Sequence, residues 1–483
     1  MIKNSKKILV GMSGGVDSSV AAALLVEQGY DVTGGFIKNW SDTKDLWTGE
    51  CEWRGERRDA LRVAARLNIP LLTFDFEKEY RERVLDRMFR EYESGITPNP
   101  DVLCNEEIKF GLFFEAAMER GFDGIATGHY ARVRHAENNP LVLPINSLAQ
   151  GINSLVPPIN SPKPPINSLV PSCTQEGGIP FNHIALPLST RGAGGVMVPG
   201  EEVSAGSVPR EDVSGMSHLL KAIDPEKDQS YFLHRVSQEA LSKTLFPIGD
   251  FPKAEVRKLA AKFDLPTATK PDSQGICFVG KIDFHDFLRK KIPAQPGEII
   301  NPEGEVIGTH DGLDGYTIGQ RQGIKVSKEG KAWYVAGKDQ KTNRLIVVND
   351  REHPMLYRSE LSLRNIHWIA GVPSHPEVEI AVRYHAPPIA GSLAPSLAFS
   401  PSERERSSNI PSSQRRGGHS SGRGGGSDRR GGGSDCLGGG STILLHEPAW
   451  APAPGQSAVL YQGDECLGGG FLTEDGIDSA PIV

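Results

Sequence analysis

Residues 11–19 read Gly-Met-Ser-Gly-Gly-Val-Asp-Ser-Ser, a run rich in groups that a phosphate can use. Gly14 and Gly15 tolerate positive φ and let an anion approach the backbone. Ser13, Ser18 and Ser19 bring hydroxyl donors, and Asp17 brings a carboxylate of the kind that holds a magnesium ion. The run lacks the closing Lys-Ser/Thr pair of a Walker loop and the spaced glycines of a dinucleotide fingerprint. Two cysteines form a second chemical set. Cys104 lies in Thr97-Pro98-Asn99-Pro100-Asp101-Val102-Leu103-Cys104-Asn105, and Cys277 in Asp272-Ser273-Gln274-Gly275-Ile276-Cys277-Phe278. Most cysteines are small buried hydrophobes, but both of these stretches read as polar loops. A helix is expected to begin near Asn105, which puts Cys104 where a helix dipole favours the thiolate. Asp101, three residues earlier, is placed to carry a proton.

Regular elements have to hold these groups. Residues 6–10 read as a buried strand and 20–26 as a helix, so the glycine-rich run is a strand-to-helix turn whose backbone N–H groups face a phosphate. Further strands are expected at 31–37, 70–75 and 124–128, with helices at 59–67 and 110–118. This alternation predicts a parallel sheet covered on both faces, with ligands beyond the carboxyl ends of its strands. Gly11, Ile37 and Gly128-His129-Tyr130 all fall at such ends. His129 reads as a packing and hydrogen-bonding residue rather than a catalyst.

The composition then changes. Ile-Asn-Ser recurs at Ile145, Ile152, Ile159 and Ile166, every seven residues, but prolines at 144, 157, 158, 162, 164 and 165 forbid a coiled coil. Residues 136–216 therefore read as a low-complexity insert, loosely ordered at most. Helices are expected again at 238–244 and 252–263, and short strands with glycine turns from about residue 296 onward. A second insert at 387–441 carries Arg-Gly-Gly-Gly-Ser-Asp runs and reads as a flexible loop rather than an RNA-binding tract. The expected domains are 1–217, 218–295 and 296–483.

With 53 Lys and Arg against 60 Asp and Glu, the net charge of −7 leaves nucleic acid binding to a local basic face. No apolar run is long enough to cross a membrane, and residues 8–10 are too short for a signal-peptide core, which predicts a cytoplasmic protein. The six cysteines include no C-x-x-C pair, so neither zinc nor a disulfide scaffold is expected.

The Ser-Gly-Gly-Val-Asp-Ser run resembles the pyrophosphate loop of the ATP pyrophosphatase superfamily. Taken with Asn99-Pro-Asp101 and Cys104, Ala126-Thr-Gly-His-Tyr130, Lys227-Asp-Gln229-Ser-Tyr231, Asp272-Ser-Gln-Gly-Ile-Cys277, Tyr316-Thr-Ile-Gly-Gln-Arg321 and Pro454-Gly-Gln-Ser457, it is similar to the tRNA-specific 2-thiouridylase family. The motifs come in order and span the chain outside the two inserts. The resemblance implies an adenine-nucleotide α-hydrolase-like N-terminal domain, a central tRNA-binding domain and a C-terminal β-barrel-like domain. It implies ATP-dependent 2-thiolation of the wobble uridine of the tRNAs for lysine, glutamate and glutamine, through adenylation of the C2 oxygen and sulfur from a persulfide on Cys277. Cys104 is the implied partner in a disulfide with Cys277. ATP would meet Gly11, Met12, Ser13, Gly14, Gly15, Val16, Asp17, Ser18, Ile37 and Gly128, with Mg2+ at Asp17. The target base would meet Asn99, Pro100 and Asp101, and the tRNA Lys227, Asp228, Gln229, Arg383 and Tyr384. Lys253, Arg257, Lys258, Lys262, Lys270, Lys281, Arg289, Lys290 and Lys291 are expected to hold tRNA phosphates. A sulfur-relay or desulfurase protein would load the sulfur.

Ile37 stands where relatives often have methionine, an apolar exchange. The other readings are an ATP pyrophosphatase that delivers nitrogen to an adenylated carbonyl, and an RNA-binding module without catalysis. Two-cysteine chemistry separates the first from a thiolase. Deleting residues 140–214 is expected to leave ATP affinity unchanged, as nucleotide titration of the shortened chain would show. A weakened affinity would make the insert part of the site.

Overall fold

The computed structural model describes residues 5–40, 52–136, 139, 141, 215–272, 284–289, 291–326, 332–394 and 441–474. Cys277, Lys281, Lys290, the Ile-Asn-Ser repeat and nearly all of both inserts lie outside the described residues. The described residues fall in one of two compact units, Met1–Leu143 with Val213–Val483.

Ile8, Leu9 and Val10 form a run with no solvent exposure, the pattern of a strand covered on both faces. They make β1 (Lys7–Gly11), followed by β2 (Asp31–Lys38), β3 (Leu71–Asp75), β4 (Gly124–Thr127), the short β5 (Arg132–Arg134) and β6 (His218–Leu220), and β7 (Thr244–Leu245). A parallel sheet runs β3-β2-β1-β4-β7. Ile8 and Val10 pack on one face with Val20, Ala21, Val256 and Ala260. Leu9 packs on the other with Phe74, Phe113 and Ile125. The helices Val16–Glu27 and Lys253–Lys262 thus share one face. β1 is flanked by β2 and β4, so the chain reverses its direction of travel across the sheet there. That switch point opens a crevice between Gly11 and Gly128.

The expected parallel sheet is present, with a difference at its edge. β7 comes from the segment expected to form a separate central domain, yet it pairs with β4. Its Thr244 is buried, and the hydroxyl donates to the Ala240 carbonyl at 2.6 Å. The helix expected at 238–244 accordingly stops at Ser242.

The later chain is β-rich, as expected. β8 (Gly297–Ile300), β9 (Val306–His310), β10 (Tyr334–Asp339) and β11 (Arg344–Val348) form a sheet in the order β10-β11-β8-β9. β12 (Tyr357–Trp368), β13 (Glu377–Ala381), β14 (Ile389–Leu393), β15 (Ser441–Trp450), β16 (Ser457–Gln462) and β17 (Glu465–Leu472) follow in the order β12-β15-β14-β13-β16-β17. Pairing of β12 with β17 closes these six strands into a barrel and removes its free edges. β17 also pairs with β6, which pairs with β5, so a ribbon from the first half of the chain is bonded to the barrel wall.

Candidate active site

A cavity of about 760 Å³ lies at the carboxyl ends of β1, β2 and β4. Its floor is the strand-to-helix turn. Gly14 has φ +75°, and a Cβ there would fall 2.3 Å from the Glu56 carbonyl oxygen, so helix Glu52–Leu67 packs directly on the loop. Gly15 caps helix Val16–Glu27 without a side-chain cap bond. The Ser19 hydroxyl donates to the Gly15 carbonyl at 2.6 Å, while Ser13 N donates to Ser18 Oγ at 3.2 Å. The loop is thereby folded back on itself with a helix N-terminus toward the cavity, an arrangement that suits a phosphate. Across the crevice, a Cβ on Gly128 would stand 2.5 Å from Ser18 N and 2.7 Å from Asp17 C. Only a glycine lets the end of β4 come this close. Gly11, Met12, Ser13, Gly15, Val16, Asp17, Ser18, Ile37 and Gly128 all line the cavity.

The opposite wall brings in distant segments: Asp101, Asn105, Lys109, His129, Lys227, Gln229, Phe232 and, from the barrel, Tyr384. The rings of Phe232 and Tyr384 lie 4.4 Å apart. Behind them runs a polar chain. Asn105 Nδ2 donates to the Phe232 carbonyl at 3.0 Å, and Lys109 Nζ donates to Asn105 Oδ1 at 2.9 Å. Lys109 Nζ is also 3.4 Å from His129 Nε2, whose Nδ1 lies 2.8 Å from Thr127 Oγ1. Burial, reinforced by the Lys109 charge, holds His129 well below its ordinary pKa. It is therefore a neutral hydrogen-bonding residue, and with Lys109 donating to Nε2 its proton sits on Nδ1.

The family model described as tRNA methyl transferase HUP domain matches residues 6–149 and 199–281. The tRNA methyl transferase PRC-barrel domain matches 285–349, and the Aminomethyltransferase beta-barrel domain 437–472. The tRNA-specific 2-thiouridylase MnmA of Cupriavidus metallidurans is 38% identical over 473 residues, covering 97% of this chain and 99% of its own. Its namesakes from a Janthinobacterium species and Nitrosomonas eutropha are also 38% identical, over 98% of this chain and 99% of theirs. The chain belongs to the tRNA-specific 2-thiouridylase family. Among solved structures, the NMN synthetase from Francisella tularensis covers 26% of this chain and 45% of its own at 20% identity, with a TM-score of 0.19. That slight likeness carries no argument.

As a 2-thiouridylase family member the chain departs from several expectations of its sequence. Cys104 is not at a helix start. Asn99 is the N-cap, its Oδ1 accepting from Val102 N at 3.3 Å, and Pro100 takes the first helical position. The helix Pro100–Leu103 runs on into a π-helical stretch, Cys104–Leu112. Cys104 is therefore interior to a helix, 0% exposed and packed with Leu103, Ile108 and Phe113 rather than in a polar loop. The helix-dipole reason for a thiolate there does not hold.

Asp17, the expected magnesium ligand, is engaged by protein groups in the resting site. Lys253 Nζ sits 2.7 and 2.9 Å from the two carboxylate oxygens, and the Tyr130 hydroxyl donates to Oδ1 at 2.9 Å.

Six of the nine residues of the basic middle section are ion-paired, although Lys258 is still 74% exposed. Lys253 pairs with Asp17 and with Asp272, Arg257 with Asp272, and Lys270 with Asp59 at 2.7 Å. Lys258, Lys262 and Arg289 pair with Glu255, Glu27 and Asp314. Partial burial raises Asp272, but its hydrogen bonds and charge contacts with Lys253 and Lys227 outweigh this and hold the carboxyl below its ordinary pKa.

The expected tRNA contacts divide. Lys227 and Tyr384 line the cavity, Lys227 Nζ standing 3.3 Å from Asp272 Oδ2. Gln229 spends its side-chain oxygen on Tyr130 N at 2.9 Å. Asp228 turns inward, accepting from Ala222 N at 2.8 Å and Ser230 Oγ at 2.7 Å, and burial raises its pKa. Arg383 is mostly buried and donates to the carbonyls of Ile318 and Ala451. Arg383→Lys is expected to lose one of these bonds and lower stability by about 1–2 kcal/mol. A melting curve checks this, and an unchanged melt would return Arg383 to the list of free RNA contacts.

Gln456 went unnoticed as a site residue in the sequence. Its Nε2 donates to the carbonyls of Thr97 and Pro98 at 3.1 and 3.2 Å, so the barrel grips the loop that leads into Asn99-Pro100-Asp101. Thr317 Oγ1 reaches Thr97 Oγ1 at 3.4 Å from the other late motif. A match to the motifs around them is the only sequence signal for either contact.

Buried histidines give the fold a pH dependence. Burial lowers His129, His135, His310 and His367, and takes His234 to about 3. The unfolded chain binds these protons near the ordinary value of about 6.5 while the folded chain refuses them. Stability is thus full above about pH 6.5 and falls as the pH drops below it. Melting temperatures between pH 7.5 and 5, values chosen to bracket about 6.5, are expected to decline steadily. A flat profile would show these rings titrating alike in both states.

Proposed function

We propose that this enzyme is a tRNA-uridine 2-sulfurtransferase that uses ATP to replace the C2 oxygen of the wobble uridine, in the tRNAs for lysine, glutamate and glutamine, with sulfur. Family membership supports 2-thiolation of tRNA. The observation that carries the rest is one cavity joining a phosphate-binding loop at one end to Asp101, Phe232 and Tyr384 at the other. A nucleotide on Gly11–Ser18 would lie within the same enclosure as a base presented near Asp101.

The chemistry follows from the difficulty of the exchange. The C2 oxygen of uracil is a poor leaving group. Its attack on the α-phosphorus of ATP releases pyrophosphate and leaves the oxygen carried by AMP. The loop N–H groups stabilise the charge that develops on the departing phosphates. Sulfur from a Cys277 persulfide then bonds to C2 as AMP leaves with the oxygen. Cys104 thiolate attacks the Cys277 sulfur, which frees the new thiocarbonyl and leaves a Cys104–Cys277 disulfide for an external thiol to reduce. Bridging brings the two Cα atoms to roughly 4.4–6.8 Å. Since Cys104 is buried, its turn has to move for this step. Asp101, one turn before Cys104, is the carboxylate available to take the thiol proton.

The test is the formation of 2-thiouridine by the full chain from ATP, magnesium, tRNA transcript, a low-molecular-weight persulfide that can load Cys277, and a thiol that reduces the Cys104–Cys277 disulfide. Product in the tRNAs with a wobble uridine of this class, with one pyrophosphate released per thiouridine, is expected. Pyrophosphate release without thiouridine, or an amide product, would overturn the reading.

A further inference from the structure

We propose that Lys253 is the cation that meets the polyphosphate of the nucleotide, and that Asp17 is its resting counter-ion. The proposal rests on the reading of this cavity as an ATP site and goes further by naming the group that neutralises the leaving pyrophosphate.

Lys253 opens helix Lys253–Lys262, on a segment 236 residues from Asp17, and its ammonium reaches both Asp17 oxygens. Asp17 lies in the first turn of the helix whose N-terminus faces the cavity. A bare carboxylate there would repel an entering phosphate. Lys253 across it offsets that charge.

The surroundings let Lys253 change partner at low cost. Its second carboxylate, Asp272, is also held by Lys227 at 3.3 Å and by Arg257. Asp17 keeps the Tyr130 hydroxyl at 2.9 Å. When the ammonium moves to a phosphate oxygen Asp272 keeps two cations, while Asp17 keeps the Tyr130 hydroxyl and is 31% exposed, so solvent limits the cost of its lost counter-ion. The Lys253 side chain is 14% exposed and lines the cavity, which places it for a short shift rather than a long reach. Lys270, bonded to the Gly14 carbonyl at 3.1 Å and to Asp59, is instead fixed to the loop it supports.

Calorimetric titration of the full chain with ATP and with AMP, each with and without Mg2+, tests this. Lys253→Met is expected to weaken ATP by about tenfold or more, the worth of a charge-assisted hydrogen bond, while AMP changes by less than about threefold. Lys253→Arg should recover most of the ATP affinity. Asp17→Asn, which frees the ammonium of its resting partner, should bind metal-free ATP at least as tightly as wild type. Equal losses for ATP and AMP in Lys253→Met would make the lysine a structural strut and overturn the proposal. An Asp17→Asn variant that loses affinity for metal-free ATP would make Asp17 more than a counter-ion and overturn it too. Wild-type protein that fails to bind ATP would overturn the nucleotide reading itself, and the proposal with it.

Discussion

Gly128→Ala is expected to lower ATP affinity by about a hundredfold, close to 2.7 kcal/mol, with thiouridine formation falling in step. The added methyl would lie 2.5 Å from Ser18 N, 2.7 Å from Asp17 C and 2.8 Å from Ser18 Cα. All three are backbone atoms of the first turn of helix Val16–Glu27, so no side chain can swing aside to make room. Overpacking of this kind costs about 1–3 kcal/mol. The strain falls on the two elements that form the crevice, because β1 and β4 are hydrogen-bonded neighbours and cannot separate without breaking the sheet. The loop has to tilt, and its N–H groups lose their aim. Nucleotide titration of the variant, with a melting curve to show the fold persists, checks this. An affinity unchanged in a folded protein would mean that the end of β4 does not bound the nucleotide site.

The second large effect concerns Cys104. Cys104→Ala is expected to reduce 2-thiouridine yield by at least about a hundredfold, as removal of a group acting on the reacting atoms does. ATP affinity should stay within about threefold of wild type, since Cys104 is not among the groups facing the cavity. Alanine is the informative replacement. Cys104 sits among apolar side chains, where a serine hydroxyl without a partner adds about 1–3 kcal/mol of its own. Mass spectrometry of nucleosides from the reacted tRNA gives the yield. Full yield from Cys104→Ala would remove the thiol from the mechanism and leave it as a core residue, which its burial alone would suggest.

The polypeptide's local order made much of this legible. Ile8-Leu9-Val10 announces a strand covered on both faces, Gly14 a turn with positive φ, and Val20 to Leu25 a helix packed on a sheet. These are short-range consequences of hydrophobic pattern and glycine freedom, and the structure has all three. The grouping of motifs also led to the family, because residues that serve one reaction keep their order along the chain. Cys104 shows where local reasoning stops. Pro98 and Pro100 read as breaks before a later helix. In the fold Pro100 opens the helix instead, with Asn99 as its cap, and moves Cys104 inside.

What residue types and spacing determined by themselves was the phosphate loop, the parallel sheet that carries it and the pair of cysteines worth testing. What only the tertiary structure decided was which charges face one another. Lys253 reads as one of nine basic residues expected to hold tRNA phosphates. In the fold its ammonium lies on Asp17, while Arg383 turns into the protein and Tyr384 reaches the cavity. Sequence patterns record the neighbours a residue has along a helix or strand. An ion pair is set by distance, with an energy that falls as separation and solvent screening grow. Two groups 236 residues apart acquire that distance only when the sheet and its helices have packed.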